Sequence, residues 1–103
     1  MRRSAAGLTL EICPTPETVA KPGRLRVGFT ASRKVGGAVE RNRAKRRLRA
    51  VAAAVLPLLG REGTDYVLVA RPATLGRAYG GLLEDLAMTL AAAHLKLNAG
   101  ERP

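Results

Sequence analysis

One segment of the chain combines the periodicity of a half-buried helix with an unusual density of positive charge. Its apolar residues recur at intervals of three and four, which predicts one helical stripe facing a core. The stripe consists of Ala44, Leu48, Val51, Ala52 and Val55. We expect the helix to run from about Ala38 to Leu56, because Pro57 and Gly60 are typical of a helix end. Only the second half carries the stripe, so the fold must bury one half of this helix and expose the other.

The first half of the same helix is crowded with cations. Six of the nine residues from Arg41 to Arg49 are Lys or Arg. Like charges three and four residues apart on a helix repel, so an external partner is expected to compensate. The interval from Lys21 to Arg49 holds eleven cations and one acid, whereas the rest of the chain holds seven of each. This concentration indicates a polyanionic partner, with an anionic membrane surface as the weaker alternative.

Length and composition exclude several classes of protein. A chain of 103 residues predicts a single domain covering residues 1–103. Cys13 and His94 are the single residues of their types, which excludes a disulfide framework and a cysteine-rich zinc site. We interpret Cys13 as a small strand residue and His94 as a packing residue. No apolar run is long enough for a signal peptide or a membrane span, so a cytoplasmic protein is predicted. The sequence shows no Ser, His and Asp constellation and no paired-carboxylate site, so no catalytic residues are expected in this chain.

Three segments are predicted to form strands. Gly7–Cys13 and Arg24–Ala31 alternate apolar and polar side chains, as half-buried strands do. In the second of them the alternation turns Phe29 toward the core. Thr64–Arg71 is almost continuously apolar, which favours a strand covered on both faces, and Pro72 ends it.

A second helix is expected from Ala78 to Leu97, followed by a tail, residues 98–103, that is expected to fray. Its predicted apolar stripe consists of Tyr79, Leu83, Leu86, Leu90, Ala93 and Leu97. The order strand, strand, helix, strand, helix predicts an α+β domain in which two helices pack on a small mixed β-sheet.

The candidate binding residues lie on the cationic helix and on the connector before it. They are Arg41, Asn42, Arg43, Lys45, Arg46 and Arg49 on the helix, and Arg33 and Lys34 on the connector. Guanidinium groups match phosphate oxygens two hydrogen bonds at a time, and the start of a helix favours anions. Asn42 is either a tolerated exposed amide or a residue that bonds a base edge, a ribose hydroxyl or a metal-bound water.

RNA is favoured over DNA as the polyanion. A helix that reads a DNA groove usually belongs to an all-helical module, whereas this helix belongs to a mixed fold. The chain has only three aromatic residues, and Phe29 is expected in the core, so contacts to phosphates and RNA shape should outweigh base stacking. An ordinary solvated helix is the plain alternative, although such helices usually mix charges of both signs.

The segment "RVGFTASRKVGGAVERNRAKRRLR" resembles the protein subunit of bacterial ribonuclease P. The likeness is close from Arg24 to Arg49 and looser through "DYVLVARPA" and the last helix. It implies a fold like domain 2 of ribosomal protein S5, with a left-handed crossover between parallel strands. It also implies binding to the ribonuclease P RNA and to the leader of precursor tRNA. In that family the RNA performs the hydrolysis with Mg²⁺ that it binds itself, and neither DNA nor a membrane is a partner.

The resemblance assigns roles by position. Arg41, Asn42, Arg43, Lys45 and Arg46 would dock on the RNA core near its catalytic site. Ser32, Arg33, Lys34, Arg26 and Thr30 would lie toward the RNA and the leader.

Two departures from the family pattern accompany these assignments. Family members normally carry Asn where this chain has Gly37, so the hydrogen bonds of that side chain are lost. They also begin with a basic helix that supplies aromatic residues to the leader cleft, whereas this sequence starts at the first strand; that helix is expected either to be absent or to lie upstream of Met1. The alternatives are a non-enzymatic RNA-binding protein of the ribosome-associated type, and a truncated, inactive copy.

Overall fold

The structure, a computed structural model, describes residues 1–97 and the backbone of residues 98–100. Four strands and two helices make up the fold. They are β1 (Arg2–Ser4), β2 (Leu8–Pro14), β3 (Arg26–Ala31), α1 (Ala38–Leu59), β4 (Thr64–Ala70) and α2 (Tyr79–Gly100). Two short 3₁₀ helices, Arg33–Val35 and Pro72–Leu75, precede α1 and α2. Part of the tail predicted to fray is thus helical, and the remainder lies outside the described residues.

The four strands form one mixed sheet in the order β1-β2-β4-β3. β2 is antiparallel to both β1 and β4, whereas β3 and β4 are parallel and α1 connects them. The predicted α+β class, with two helices packed on a small mixed sheet, is therefore confirmed. The left hand of the crossover stays a prediction. Strand β1 was not foreseen, because three residues are too few to show an alternating pattern.

One apolar core fills the space between the sheet and the helices. The sheet contributes Leu8, Leu10, Ile12, Tyr66, Leu68 and Ala70, and α2 contributes Leu82, Leu86, Leu90 and Ala93. The predicted stripe of α1, from Ala44 to Val55, is buried against them. Since α1 and α2 share this core and cover the same face of the sheet, the opposite face carries no helix within the described residues.

Three expectations about the elements were wrong in detail. Helix α1 does not stop at Pro57 but continues to Leu59; a proline in the last turn removes only one backbone donor, and the Gly60 N–H still bonds Leu56 O at 2.8 Å. β4 is not covered on both faces, because its residues alternate between buried and half-buried. On α2, Tyr79 is 46% exposed and Leu82 is fully buried, so the stripe is rotated from the predicted one.

Candidate nucleic-acid interface

The predicted binding residues form one surface at the first half of α1 and the 3₁₀ helix before it. We call this the cationic surface; it comprises Arg33, Lys34, Arg41, Asn42, Arg43, Lys45, Arg46 and Arg49. Arg41 and Lys45 are half-buried, and the other six are exposed. The helix can display them because its buried stripe begins only at Ala44. The structure thus brings together the residues that the sequence predicted for this site.

The positive charge of this surface is not neutralised by the protein itself. Three carboxylates among the described residues form ion pairs, each with an arginine outside the cationic surface. The pairs are Glu11 with Arg2, Asp65 with Arg26, and Asp85 with Arg77. Within residues 1–100 no cation of the surface is in an ion pair with a carboxylate. The like charges therefore retain the mutual repulsion that an external anion would relieve.

Glu40 is the single acid in the sequence from Lys21 to Arg49, and it lies in the first turn of α1. Its side chain folds over the two preceding glycines: a Cβ added to Gly36 would come within 2.8 Å of the Glu40 Cβ, and one added to Gly37 within 3.2 Å of Oε2. A carboxylate there is favoured by the free N–H groups and the positive dipole at the helix start. Gly36 also has a φ of 144°, which a side chain would strain.

The connector residues are held by a local cap. Ser32 precedes the 3₁₀ helix, and its hydroxyl accepts a hydrogen bond from the Lys34 N–H at 3.3 Å. Val35 is buried and anchors this turn, while Arg33 and Lys34 remain exposed. Gly37 caps α1 without a side-chain hydrogen bond, so the start of the helix lacks the contact that an Asn at this position would offer.

Two arginines of the run are directed toward the protein backbone. Arg41 Nε donates to Gly37 O at 3.4 Å, which keeps this side chain against the start of the helix. Arg47 donates from Nη2 to the carbonyl oxygen of Arg77, just before α2. Arg47 thus links α1 to the segment just before α2, and it is half-buried. The run of cations therefore splits into exposed side chains and two arginines, Arg41 and Arg47, that bond the protein backbone.

The residues predicted to face the leader lie on the helix-free side of the sheet and beside it. Thr30 is exposed on β3, and its strand partner is Val69. Arg26, in contrast, is paired with Asp65: Nε donates to Oδ1 at 2.8 Å. Hydrogen bonds from Arg26 and then from Thr15 lower the pKa of Asp65 to about 2, and the same contact raises the pKa of Arg26. Arg26 is thus held by the domain's own carboxylate.

Phe29 was expected in the core, but it is only half-buried. The guanidinium carbon of Arg49 lies 5.6 Å from the centre of its ring, within the range of a cation–π contact. The alternation of β3 correctly predicted the side of the sheet that Phe29 faces. It could not show that β3 is an edge strand, which leaves one side of the ring uncovered. No local sequence signal reports that position.

The remaining reactive side chains do not join this surface. Cys13 is an exposed free thiol at the end of β2. His94 is buried, with Nε2 2.8 Å from the hydroxyl of Tyr66; burial and then the charge of Arg61 lower its pKa. His94 therefore packs in the interior, as predicted. In the described part of the chain no three His, Cys, Asp or Glu side chains are grouped to hold a metal ion.

Each of the two helices has 22 residues, a length that could cross a membrane. Spanning a bilayer needs an apolar helix of roughly 20 residues. Neither α1 nor α2 has an apolar stretch of that kind within the described residues.

Sequence comparisons group this chain with one set of proteins. A family model described as Ribonuclease P matches residues 2–94. The chain is 49% identical over 94 residues to the ribonuclease P protein component of Ruegeria pomeroyi, and the aligned region covers 90% of this chain and 74% of that protein. It is 46% identical over 102 residues to the ribonuclease P protein component of Paramagnetospirillum magneticum, covering 97% and 77%.

Comparison with solved structures supports the same architecture. The RNase P protein of Staphylococcus aureus superimposes with a TM-score of 0.68 at 22% identity, covering 90% of this chain and 80% of that one. The RNase P protein from Thermotoga maritima gives a TM-score of 0.68 at 20% identity, covering 87% and 80%. At these identities the likeness concerns the fold.

Proposed function

Because this chain belongs to the ribonuclease P protein family, we propose that its cationic surface binds the RNA of ribonuclease P and helps it remove the 5′ leader from precursor tRNA. The observation that carries this proposal is the set of exposed cations on α1 and the preceding 3₁₀ helix, which no described carboxylate neutralises. A structured polyanion is the partner that such a surface fits.

The proposed mechanism of binding is charge neutralisation by a preformed helix. Each cation that meets a phosphate releases condensed counterions, so the affinity falls steeply with salt. The helix is anchored in the core by its second half, so its first half presents the guanidinium groups without ordering a flexible segment on binding. Arg43 and Arg46, both exposed and both able to bond two phosphate oxygens, are the principal contacts.

Hydrolysis is assigned to the RNA subunit. The thiol and the imidazole do not form a nucleophile–base pair, because Cys13 is exposed at the end of β2 and His94 is buried against Tyr66. The described residues also do not suit Mg²⁺ binding, because they offer no cluster of carboxylates and the surface itself is cationic. We therefore assign Mg²⁺ to phosphates of the RNA, with the protein lowering the repulsion between RNA segments.

Contact with the leader of precursor tRNA is proposed for the helix-free face of the sheet next to the connector. Thr30 and Ser32 supply hydroxyl groups there, and Arg33 and Lys34 supply charge. Arg26 contributes less than the sequence suggested, because Asp65 accepts its hydrogen bonds.

The proposal is tested by reconstitution. The chain is added to a bacterial ribonuclease P RNA at low Mg²⁺, and cleavage of a precursor tRNA is followed. We expect the chain to stimulate cleavage, and Arg43→Ala and Arg46→Ala to reduce the stimulation at least tenfold. Lys96→Ala is the control, because Lys96 is an exposed cation of α2 outside the surface.

The alternatives give different results in the same assay. Binding to the ribonuclease P RNA without any stimulation indicates a non-enzymatic RNA-binding protein or an inactive copy. If Lys96→Ala reduces stimulation as much as Arg43→Ala, the effect reflects total charge and the assignment to the cationic surface is wrong.

A further inference from the structure

An apolar cleft lies between the edge strand β3 and the second half of α1. It has a volume of about 390 Å³, within the range of about 300 to 1,000 Å³ that is usual for small-molecule sites. Strand β3 contributes Val27 and Phe29 to its walls, and α1 contributes Arg49, Ala53 and Leu56. The Arg49 guanidinium over Phe29 is the one charged group in this lining.

The cleft is open for two structural reasons. β3 is the last strand of the sheet, so no further strand covers its outer side. Helix α1 places the small side chains of Ala52 and Ala53 above it, which leaves the space unfilled. As a consequence Val27 is 40% exposed, although the alternation of β3 turns it toward the helices.

The cleft continues the cationic surface along the same face of α1. Asn42, Arg46, Arg49 and Ala53 are spaced four, three and four residues apart, which places them on one helical stripe. Ala53 lies about 10 Å beyond Arg46 along the helix axis at 1.5 Å per residue. An RNA strand whose phosphates follow Arg46 and Arg49 would reach the cleft with its next nucleotides.

We propose that this cleft binds one unpaired nucleobase of the RNA held by the cationic surface. The inference rests on the proposed function and adds a base-binding subsite to it. A base has flat apolar faces, which suit the ring of Phe29 and the plane of Arg49. Its polar rim suits the outer edge of β3, because an edge strand presents unpaired N–H and C=O groups.

Charge favours a nucleotide over the other occupants of such a cleft. A second copy of this chain docked here would bring two cationic surfaces together, and like charges at an interface are unfavourable. An apolar peptide strand would fill the cleft but leave Arg46 and Arg49 without a counter-charge. A nucleotide supplies the phosphate and the flat apolar face in one ligand.

The test compares two oligonucleotides that differ only in their bases. The probes are a hexamer of adenosine and a hexamer of the same backbone without bases, each titrated with the full chain at fixed salt. Stacking of one base on an aromatic ring is worth about 1 to 3 kcal/mol, so we expect at least an approximately fivefold preference for the adenosine hexamer. Equal affinities would overturn the inference.

Ala53→Leu is the variant that fills the cleft, and Ala54→Leu is its matched control, because Ala54 is exposed but does not line the cleft. We expect Ala53→Leu to remove the preference without changing the affinity for the baseless hexamer. Ala54→Leu should keep the preference. Phe29→Leu, which retains an apolar side chain, should also remove it, whereas Tyr79→Leu, at another exposed ring, should not.

The result separates this inference from the proposed function. If Ala53→Leu keeps the base preference, the subsite is wrong while stimulation of precursor tRNA cleavage remains untouched. If the free chain dimerises and Ala53→Leu disrupts the dimer, a second copy is the occupant and the inference fails. If the chain neither binds the ribonuclease P RNA nor stimulates cleavage, the proposed function fails and the subsite fails with it.

Discussion

Arg26 on β3 and Asp65 on β4 face each other across the parallel pair of strands, with Arg26 Nε 2.8 Å from Asp65 Oδ1. The same carboxylate accepts a hydrogen bond from the Thr15 hydroxyl at 2.7 Å. One of the cations between Lys21 and Arg49 is therefore paired within the protein itself. The charge available to RNA is correspondingly concentrated on α1 and the connector before it.

This pair predicts a loss of stability in acid. The folded-state pKa of Asp65 is about 2, below its ordinary value of 3.8. A depressed carboxyl pKa contributes stability that is fully present above about pH 4 and is lost as the pH falls toward 2. Urea unfolding between pH 5 and 2 should therefore show a decline that is shallower in Asp65→Asn.

Substitutions of the two residues that donate hydrogen bonds to Asp65 check the cause of that decline. Arg26→Gln removes the first cause of the lowered Asp65 pKa, and Thr15→Val removes the second. We expect Arg26→Gln to flatten the acid decline nearly as much as Asp65→Asn, and Thr15→Val to flatten it less. A decline of equal steepness in all four proteins would show that other carboxyl groups cause it.

The cationic surface predicts a strong dependence of RNA affinity on salt. With about six phosphate contacts, the affinity for the ribonuclease P RNA should fall roughly a thousandfold between 50 and 200 mM salt. Arg43→Ala and Arg46→Ala should each weaken binding and reduce the slope of log affinity against log salt by about 1. Filter binding at four salt concentrations measures both quantities.

The matched control for this series is Lys96→Ala, which removes the same charge from an exposed position on α2. Its slope should equal that of the unchanged protein. A slope close to zero for the unchanged protein would contradict phosphate docking altogether.

Asn42 is predicted to act by hydrogen bonding instead of charge. It is exposed between Arg41 and Arg43 on the cationic surface. Asn42→Ala improves helix propensity and leaves the charge unchanged, so the salt slope should stay the same. Loss of a hydrogen bond to a base edge or a ribose hydroxyl, worth about 0.5 to 1.5 kcal/mol, should reduce cleavage stimulation roughly two- to tenfold. Unchanged stimulation would make Asn42 an ordinary exposed amide.

Removal of the Tyr66 hydroxyl is expected to lower the free energy of unfolding. The Tyr66 hydroxyl accepts from the Arg61 N–H at 2.8 Å and lies 2.8 Å from His94 Nε2. Tyr66→Phe leaves the histidine nitrogen without this partner, which should cost about 1 to 3 kcal/mol in the free energy of unfolding. Tyr79→Phe is the control, because that hydroxyl is exposed; its change should stay within about 0.5 kcal/mol.

Much of this arrangement is readable from local sequence. The stripe from Ala44 to Val55 and the exposed cations before it follow from one periodicity of 3.6 residues, so α1 and the cationic surface were predicted together. β2 and β3 were predicted from alternation, which depends only on the period of two in a strand. Residues 24–49 resemble the ribonuclease P protein family, and the match of that family's model to residues 2–94 confirms the resemblance.

Only the tertiary structure shows which residues that are distant in sequence become neighbours. Whether Phe29 is covered depends on the order β1-β2-β4-β3, which leaves β3 at an edge. Whether Arg26 and Arg47 are free depends on Asp65 and on the backbone of Arg77, each 30 or more residues away. Periodicity assigns a side chain to a face of its own element. The neighbour on that face is set by how the elements pack, and packing is a property of the whole chain.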